Sequence, residues 1–220
     1  MIKAHLATFA LFMTSLSAIA ADDRCSNQTT IAAYELSIQE YIAKTTPEYC
    51  AGFNAWIDAS LSLLPLDAHI LEIGSAFGRD AQYIESKGFS VERTDATKGF
   101  VSLLQEKGYY ARLFNVLTED FSAVYDLVFA NRVFLHFTPF ELESVLNKIK
   151  ASLTDKGILA FSLKKGEGEE WSEEKLGNPR YYCYWSKDKI QSLLELSGFE
   201  VISIAEDDKF LQVIARYSMA

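Results

Sequence analysis

The stretch His69-Ile-Leu-Glu-Ile-Gly74-Ser-Ala-Phe-Gly78-Arg-Asp-Ala81 decides the fold. Its apolar start, residues 69–73, reads as a short buried strand. The spacing after it predicts a helix over residues 78–87, with Gly88 as its stop signal. Between them Gly74 permits a sharp turn, and Gly78 lets a ligand approach the main chain. The N–H groups at the start of such a helix favour the anionic or carboxylate end of a ligand. A second strand follows over residues 89–94, and Asp95 stands at its end. Doubly wound folds place an acid there, where one carboxylate accepts from both hydroxyls of a ribose. A dinucleotide fingerprint needs Gly-x-Gly-x-x-Gly over a pyrophosphate. The equivalent positions here are Gly74, Ala76 and Arg79, so two of the glycines are missing and Glu72-x-Gly74-x-x-x-Gly78 remains.

Outward from this unit the alternation continues. A helix over residues 98–107 ends at Gly108, and strands are predicted over 109–114 and 125–130. An amphipathic helix over 139–153 has Leu142, Val145, Leu146 and Ile149 on one face. A strand over 157–163, a helix over 186–196 and two strands over 200–205 and 210–217 complete the chain. The last two are joined by the acidic turn Glu206-Asp207-Asp208 and must therefore be antiparallel. The expected fold is α/β: a doubly wound, mostly parallel seven-stranded sheet with one antiparallel strand, covered on both faces. Two helices precede it. One spans residues 30–46, with Ile31, Tyr34, Ile38, Tyr41 and Ile42 on one face, and the other spans 53–64. Residues 164–184 read as the longest irregular piece, and a long insertion in a compact domain is often a functional lid.

Composition agrees with one compact domain. The chain has 220 residues, 49% of them hydrophobic, and a net charge of −9. That apolar share excludes wholesale disorder, and the acidic balance argues against a partner of nucleic acid, which needs clustered Lys and Arg. Metal binding is not expected, because the chain has 3 Cys and 3 His without ligand spacing.

The first twenty residues stand apart. Lys3 precedes an uncharged apolar run that ends in Ala18-Ile19-Ala20, the anatomy of a secretory signal peptide cleaved after Ala20. The run is shorter than the ~20 residues that span a bilayer, so stable membrane insertion is not expected. The expected organisation is a signal peptide over 1–20, an N-terminal helical segment over 21–66 and the main domain over 67–220. The expected location is secreted or periplasmic, the alternative being a cytoplasmic protein that keeps the segment as an amphipathic helix. After export Cys25 and Cys50 can pair and leave Cys183 as the odd thiol, or all three can stay reduced.

The motifs taken in order resemble the class I S-adenosylmethionine-dependent methyltransferases. Glu72-x-Gly74-x-x-x-Gly78 looks like the family's first motif, with Ala76 where a middle glycine is usual. Thr94-Asp95-Ala96-Thr97 looks like the acidic second-strand motif, and Phe114-Asn115-Val116 follows the third strand. Tyr125-Asp-Leu-Val-Phe-Ala-Asn131 looks like the fourth-strand motif. Gly78-Arg79-Asp80 and Lys165-Gly166-Glu167-Gly168-Glu169 are similar to small bacterial members. The resemblance runs from about Tyr34 to Tyr217.

It implies S-adenosyl-L-methionine as cofactor and a small-molecule methyl acceptor, with the protein expected as a monomer. It implies that Glu72 holds the loop and senses the cofactor's amino group, and that Gly74, Ser75 and Gly78 shape the cradle. Asp95 would take the ribose, Asn115 and Val116 the adenine, and Ala130 and Asn131 the methionine end. Tyr34 and Tyr41 could wall the sulfonium or pack as an ordinary amphipathic face. His136, after the fourth strand, is either a base for the attacking atom or a histidine that holds loop backbone. Arg180, Tyr182 and Trp185, with Lys164 and Lys165 nearby, are the acceptor candidates in a lid over residues 171–185, and Arg180 could hold an acceptor carboxylate. The alternative function is a non-catalytic binding module that kept the fold and its nucleoside pocket.

Overall fold

The computed structural model of the protein describes residues 26–45 and 51–217. The expected signal segment and the Cys25–Cys50 pairing lie outside the described residues, while Cys183 is a buried free thiol. The chain opens with α1 (26–36), α2 (Ile38–Ala43) and α3 (Ala51–Leu61). The alternating part follows as β1 (His69–Ile73), α4 (Arg79–Ser86), β2 (Ser90–Asp95), α5 (Lys98–Glu106), β3 (Ala111–Leu113) and β4 (Tyr125–Ala130). A short 3-10 turn (Phe134–His136) leads into α6 (Pro139–Ser152) and β5 (Leu153–Lys165). The chain ends with β6 (Gly168–Ser172), β7 (Arg180–Trp185), α7 (Lys187–Leu196), β8 (Phe199–Glu206) and β9 (Phe210–Tyr217).

Strands β3, β2, β1, β4 and β5 lie side by side and parallel. β9 runs antiparallel against both β5 and β8, so β8 points the same way as the parallel five. These seven strands are the doubly wound, mostly parallel sheet with one reversed strand that the sequence predicts. Central strands covered on both faces carry continuous apolar runs, and Leu127, Val128 and Phe129 of β4 are fully buried accordingly. One face packs on Trp56 and Ile57 of α3 and Ile84 of α4. The other packs on Leu142, Val145, Leu146 and Ile149 of α6 and on Leu194 of α7. Each such side chain contributes roughly 1.5–3 kcal/mol on burial. Thr138 and Glu141 form a reciprocal capping box that starts α6, with Pro139 at its first position.

The structure corrects two expectations. The helix expected over residues 30–46 breaks at Ser37, whose backbone leaves the helical region (φ −126°, ψ 25°). Its N–H donates to the Tyr34 carbonyl at 3.0 Å, a tighter turn than the α-helix makes, and its hydroxyl accepts from Asn178 Nδ2 at 2.9 Å. The stretch read as irregular, residues 164–184, is largely a hairpin, so the sheet has nine strands. Arg180-Tyr-Tyr-Cys-Tyr-Trp185 is rich in aromatic rings, which suits a pleated, half-buried surface better than a loop. β6 pairs antiparallel with β7, and β7 pairs parallel with the end of β5 at Lys164↔Tyr184 and Lys165↔Trp185. Lys164 also pairs with Phe210 of β9. A strand has two edges, so β7 occupies the edge of β5 that β4 uses farther back. The hairpin therefore extends the sheet just past the carboxyl end of β4, where doubly wound folds hold their ligands.

Candidate active site

The turn after β1 is built around Gly74. Its φ is +76°, and a Cβ there would lie 2.4 Å from Val133 Cγ2, so both backbone and space call for glycine. The N–H groups of Gly74 and Ser75 both donate to the Thr94 carbonyl at 2.8 Å, which ties the loop to the end of β2. Asp95 completes the tie. Its Oδ2 accepts from Ala76 N–H at 2.9 Å and its Oδ1 from Thr97 N–H at 2.7 Å. Burial raises the Asp95 pKa above the ordinary carboxylate value, and the two backbone donors act against that rise. Each carboxylate oxygen still has a lone pair to offer a ligand.

Ala76 explains how the loop manages without its usual glycine. It sits in the left-handed region at φ +47°, where an L side chain is strained. Ala76→Gly is expected to stabilise the fold by about 1 kcal/mol, the strain relieved less the added chain entropy. Chemical denaturation checks this, and an Ala76→Gly protein less stable than wild type would contradict the strained reading.

A cavity opens beside this loop, at the carboxyl ends of β1 and β2. Gly74, Ala76, Asp95, Asn115, Val116 and Asn131 line it. Glu72, Ser75, Gly78 and Ala130 stand behind the lining rather than in it. Glu72 is buried beneath the loop, and burial, then the charge of Asp80, pushes its carboxyl up to about 8. Among the described residues its Oε2 and the Ser75 hydroxyl have no hydrogen-bond partner. Asn131 is held at both ends, donating to Asp80 Oδ2 at 2.6 Å and accepting from Ser162 Oγ at 2.8 Å. Asn115 donates to Asn27 Oδ1 at 2.9 Å, a contact between the cavity wall and α1.

α1 is the cover. Asn27, Thr30, Ile31 and Tyr34 reach the cavity from it, and Tyr41 joins from α2. Thr30 Oγ1 accepts from Tyr181 N–H at 3.0 Å, which docks the helix on β7. Sequence reasoning found Tyr34 and Tyr41 but missed Asn27, Thr30, Phe100, Arg132 and Val133. The helical spacing of Ile31 and Tyr34 pointed to a buried face without saying what it covers.

At the far end Tyr34 stands between the cavity and β7. The His136 ring is buried; Nδ1 donates to the Tyr181 carbonyl at 2.6 Å, which leaves Nε2 to accept from the Tyr34 hydroxyl at 2.9 Å. Desolvation lowers the ring's pKa to about 3, so it is neutral at ordinary pH. Alternation along β7 then divides the acceptor candidates. Arg180 and Tyr182 share the face toward Tyr34, with the Arg180 guanidinium 5.5 Å from the Tyr34 ring and 5.3 Å from the Tyr182 ring. Tyr181, Cys183 and Trp185 share the other face, and all three, like the buried Tyr182, belong to the core that includes Ile190 and Leu194 of α7. The structure thus corrects the lid reading of residues 171–185. That stretch includes a strand of the sheet, Trp185 is a core side chain outside the cavity, and the element over the cavity is α1.

Residues 43–204 match a family model described as a methyltransferase domain. The chain belongs to the methyltransferase-domain family. Solved structures agree at the level of the fold. A 1,6-didemethyltoxoflavin N1-methyltransferase from Burkholderia thailandensis, solved with 1,6-didemethyltoxoflavin and S-adenosylhomocysteine, is 20% identical with a TM-score of 0.62. That similarity covers 96% of this chain and 90% of the other. The CcbJ methyltransferase of Streptomyces caelestis is 14% identical with a TM-score of 0.65, covering 81% and 95%. An S-adenosylmethionine-dependent methyltransferase from Mesorhizobium loti is 14% identical with a TM-score of 0.62, covering 78% and 100%. No curated protein matches the sequence. S-adenosylmethionine is the cofactor of this methyltransferase fold, and the glycine turn, the buried Asp95 carboxylate and the adjoining cavity fit it. α1 precedes the residues that match the family model, while the similarity to the Burkholderia enzyme extends over it. Among the described residues no group of three or more His, Cys, Asp or Glu could hold a metal ion, and no helix is long and apolar enough to cross a membrane.

Proposed function

We propose that this methyltransferase acts on a small-molecule acceptor that enters beside Tyr34, with its donor held along the β1 and β2 loops. The observation that carries the reading is the Asp95 carboxylate. It is 6% exposed, fixed by two backbone donors, and lies in the cavity wall together with Gly74. A charge held there at the expense of solvation has its use when two hydroxyls of a ligand bind to it.

Each residue then has a physical task. Asp95 accepts from the ribose hydroxyls. Val116 offers an apolar surface and Asn115 a polar edge to the adenine. Tyr34 and Tyr41, whose rings meet edge-to-face at 5.5 Å, give an electron-rich wall suited to a cationic centre. When bound, the cofactor supplies a sulfonium methyl group open to in-line attack. His136 holds Tyr34 in place through Nε2 rather than serving as a free base, since both its nitrogens are engaged and its basicity is suppressed. Methyl transfer depends chiefly on alignment, so a cover that orders the acceptor supplies most of what the reaction needs.

The test is calorimetric titration of the full chain with S-adenosylhomocysteine and, separately, with NAD. One saturable site for the first and none for the second is expected. Absence of S-adenosylhomocysteine binding, or tighter binding of NAD, would overturn the reading.

A further inference from the structure

We propose that the methyl acceptor carries a carboxylate, received by Arg180, Lys164 and Lys175 behind Tyr34. This rests on the methyl-transfer reading and names the substrate class of the same site.

Arg180 is 3% exposed. Its Nη2 donates to the Glu174 carbonyl, and its Nη1 meets the Tyr34 hydroxyl at 3.4 Å. Its Nε has no partner among the described residues. Lys164 Nζ lies 3.9 Å above the Tyr182 ring and donates to the Tyr184 hydroxyl at 3.0 Å. Lys175 Nζ lies 4.3 Å above the Tyr41 ring and donates to Thr45 Oγ1 at 2.6 Å. All three cations therefore face aromatic rings, hydroxyls and carbonyls. Among the described residues none of the three has a carboxylate within 4.0 Å. Glu170, opposite Tyr182 on β6 and so on the same face, accepts from the Tyr184 hydroxyl to which Lys164 donates, while Glu174 acts on Lys164 from the exposed loop; Arg180 and Lys175 have no such relay to a carboxylate among the described residues.

This is the reverse of what the chain does elsewhere. It carries 30 acids against 21 bases, and it pairs its other largely buried arginine, Arg93, with Glu85 at 2.6 Å. With acids in excess, cations left unpaired beside a ligand cavity leave room for an anion from outside. A buried guanidinium without a counter-ion is costly, and a ligand carboxylate offsets that cost. The planar fork of Arg180 suits a carboxylate, and the two ammonium groups add charge without fixing orientation. The cations also repel one another: after burial, Arg132 and Arg180 are the main causes that lower Lys175 to about 8. An anion among them removes that repulsion. Tyr34 connects this cluster to the cavity, because its ring lines the cavity while its hydroxyl touches Arg180.

The test uses the full chain saturated with S-adenosylhomocysteine, titrated with benzoate and with benzamide, its uncharged shape-match, at constant ionic strength. Benzoate is expected to raise the thermal midpoint and give a calorimetric isotherm, and benzamide to do neither. Arg180→Met and Lys164→Met are each expected to weaken benzoate at least about tenfold, the scale for losing a charged hydrogen-bond partner. Their affinity for S-adenosylhomocysteine should stay at the wild-type value. Equal responses to benzoate and benzamide, no response to either, or a benzoate response that survives both substitutions would overturn the proposal. Loss of S-adenosylhomocysteine affinity in the variants would also overturn it, because the cations would then hold the carboxylate of the cofactor. Should Arg180→Met fail to fold, the more exposed Lys164→Met carries the same comparison. Failure of the wild type to bind S-adenosylhomocysteine would instead count against the methyl-transfer reading itself.

Discussion

Asp95→Ala is expected to weaken S-adenosylhomocysteine binding by about 2–3 kcal/mol, the scale for a hydrogen-bonded charge lost from a buried site. That corresponds to roughly 30- to 150-fold in dissociation constant. Two losses combine. The ligand loses the carboxylate, and the loop loses the acceptor that gathers Ala76 N–H and Thr97 N–H. Asp95→Asn separates them. An amide keeps one oxygen for the loop but lacks the charge, so it should fall between wild type and alanine. Calorimetry at fixed pH measures all three proteins. Wild-type affinity in Asp95→Ala would remove Asp95 from the site and leave the Gly74 turn as a structural feature only.

The second large effect is a fall in stability as pH rises, and Glu72 causes it. The folded protein holds the Glu72 carboxyl at about 8 against an ordinary value of 4.5, so across that window it keeps a proton that the unfolded chain has released. Stability from this group is full below pH 4.5 and is lost toward pH 8, at up to about 1.4 kcal/mol per pH unit. His136 acts in the opposite sense. Its folded value is about 3 against an ordinary 6.5, so its contribution is present above 6.5 and lost as pH falls toward 3. The two trends offset below pH 6.5; above it His136 no longer opposes the fall, which Glu72 shares with Asp95, whose carboxyl burial also raises. Over that interval the unfolding free energy of the wild type should drop by as much as about 2 kcal/mol more than that of Glu72→Gln. Urea denaturation at four pH values reads this directly. A wild-type stability independent of pH there, or the same slope in Glu72→Gln, would show that the carboxyl ionises normally beneath the loop.

Much of this architecture was legible in the residues because its causes are local. A strand buried on both faces is apolar along most of its length, as Ile70, Leu71 and Ile73 of β1 and Leu127–Ala130 of β4 are. A turn that leaves β1 at positive φ needs a residue such as Gly74, and an acid at the end of β2 declares itself by position. The acidic turn Glu206-Asp207-Asp208 between two short apolar runs requires β9 to reverse. Such signals depend on neighbours within a few positions, so spacing alone carries them.

What needed the tertiary structure depends on residues far apart in sequence. The aromatic content of Arg180–Trp185 was visible, but whether it forms a lid or a strand depends on a free edge of β5 beyond the end of β4. Alternation then sends Tyr182 toward Tyr34 and Trp185 into the core, a division that no count of rings could make. Tyr34 and His136 are separated by 102 positions, and His136 was open to two readings until its neighbours were known. Its bonds to Tyr34 and to the Tyr181 carbonyl, and its burial, exist only in the folded chain. The sequence by itself determined the seven strands of the doubly wound sheet, the glycine turn and the acid that faces the cavity, since backbone stereochemistry and apolar periodicity are encoded residue by residue. Only the tertiary structure decided which helix covers the cavity and which cations, among the described residues, have no carboxylate within 4.0 Å, because burial and charge compensation are sums over groups that the chain brings together on folding.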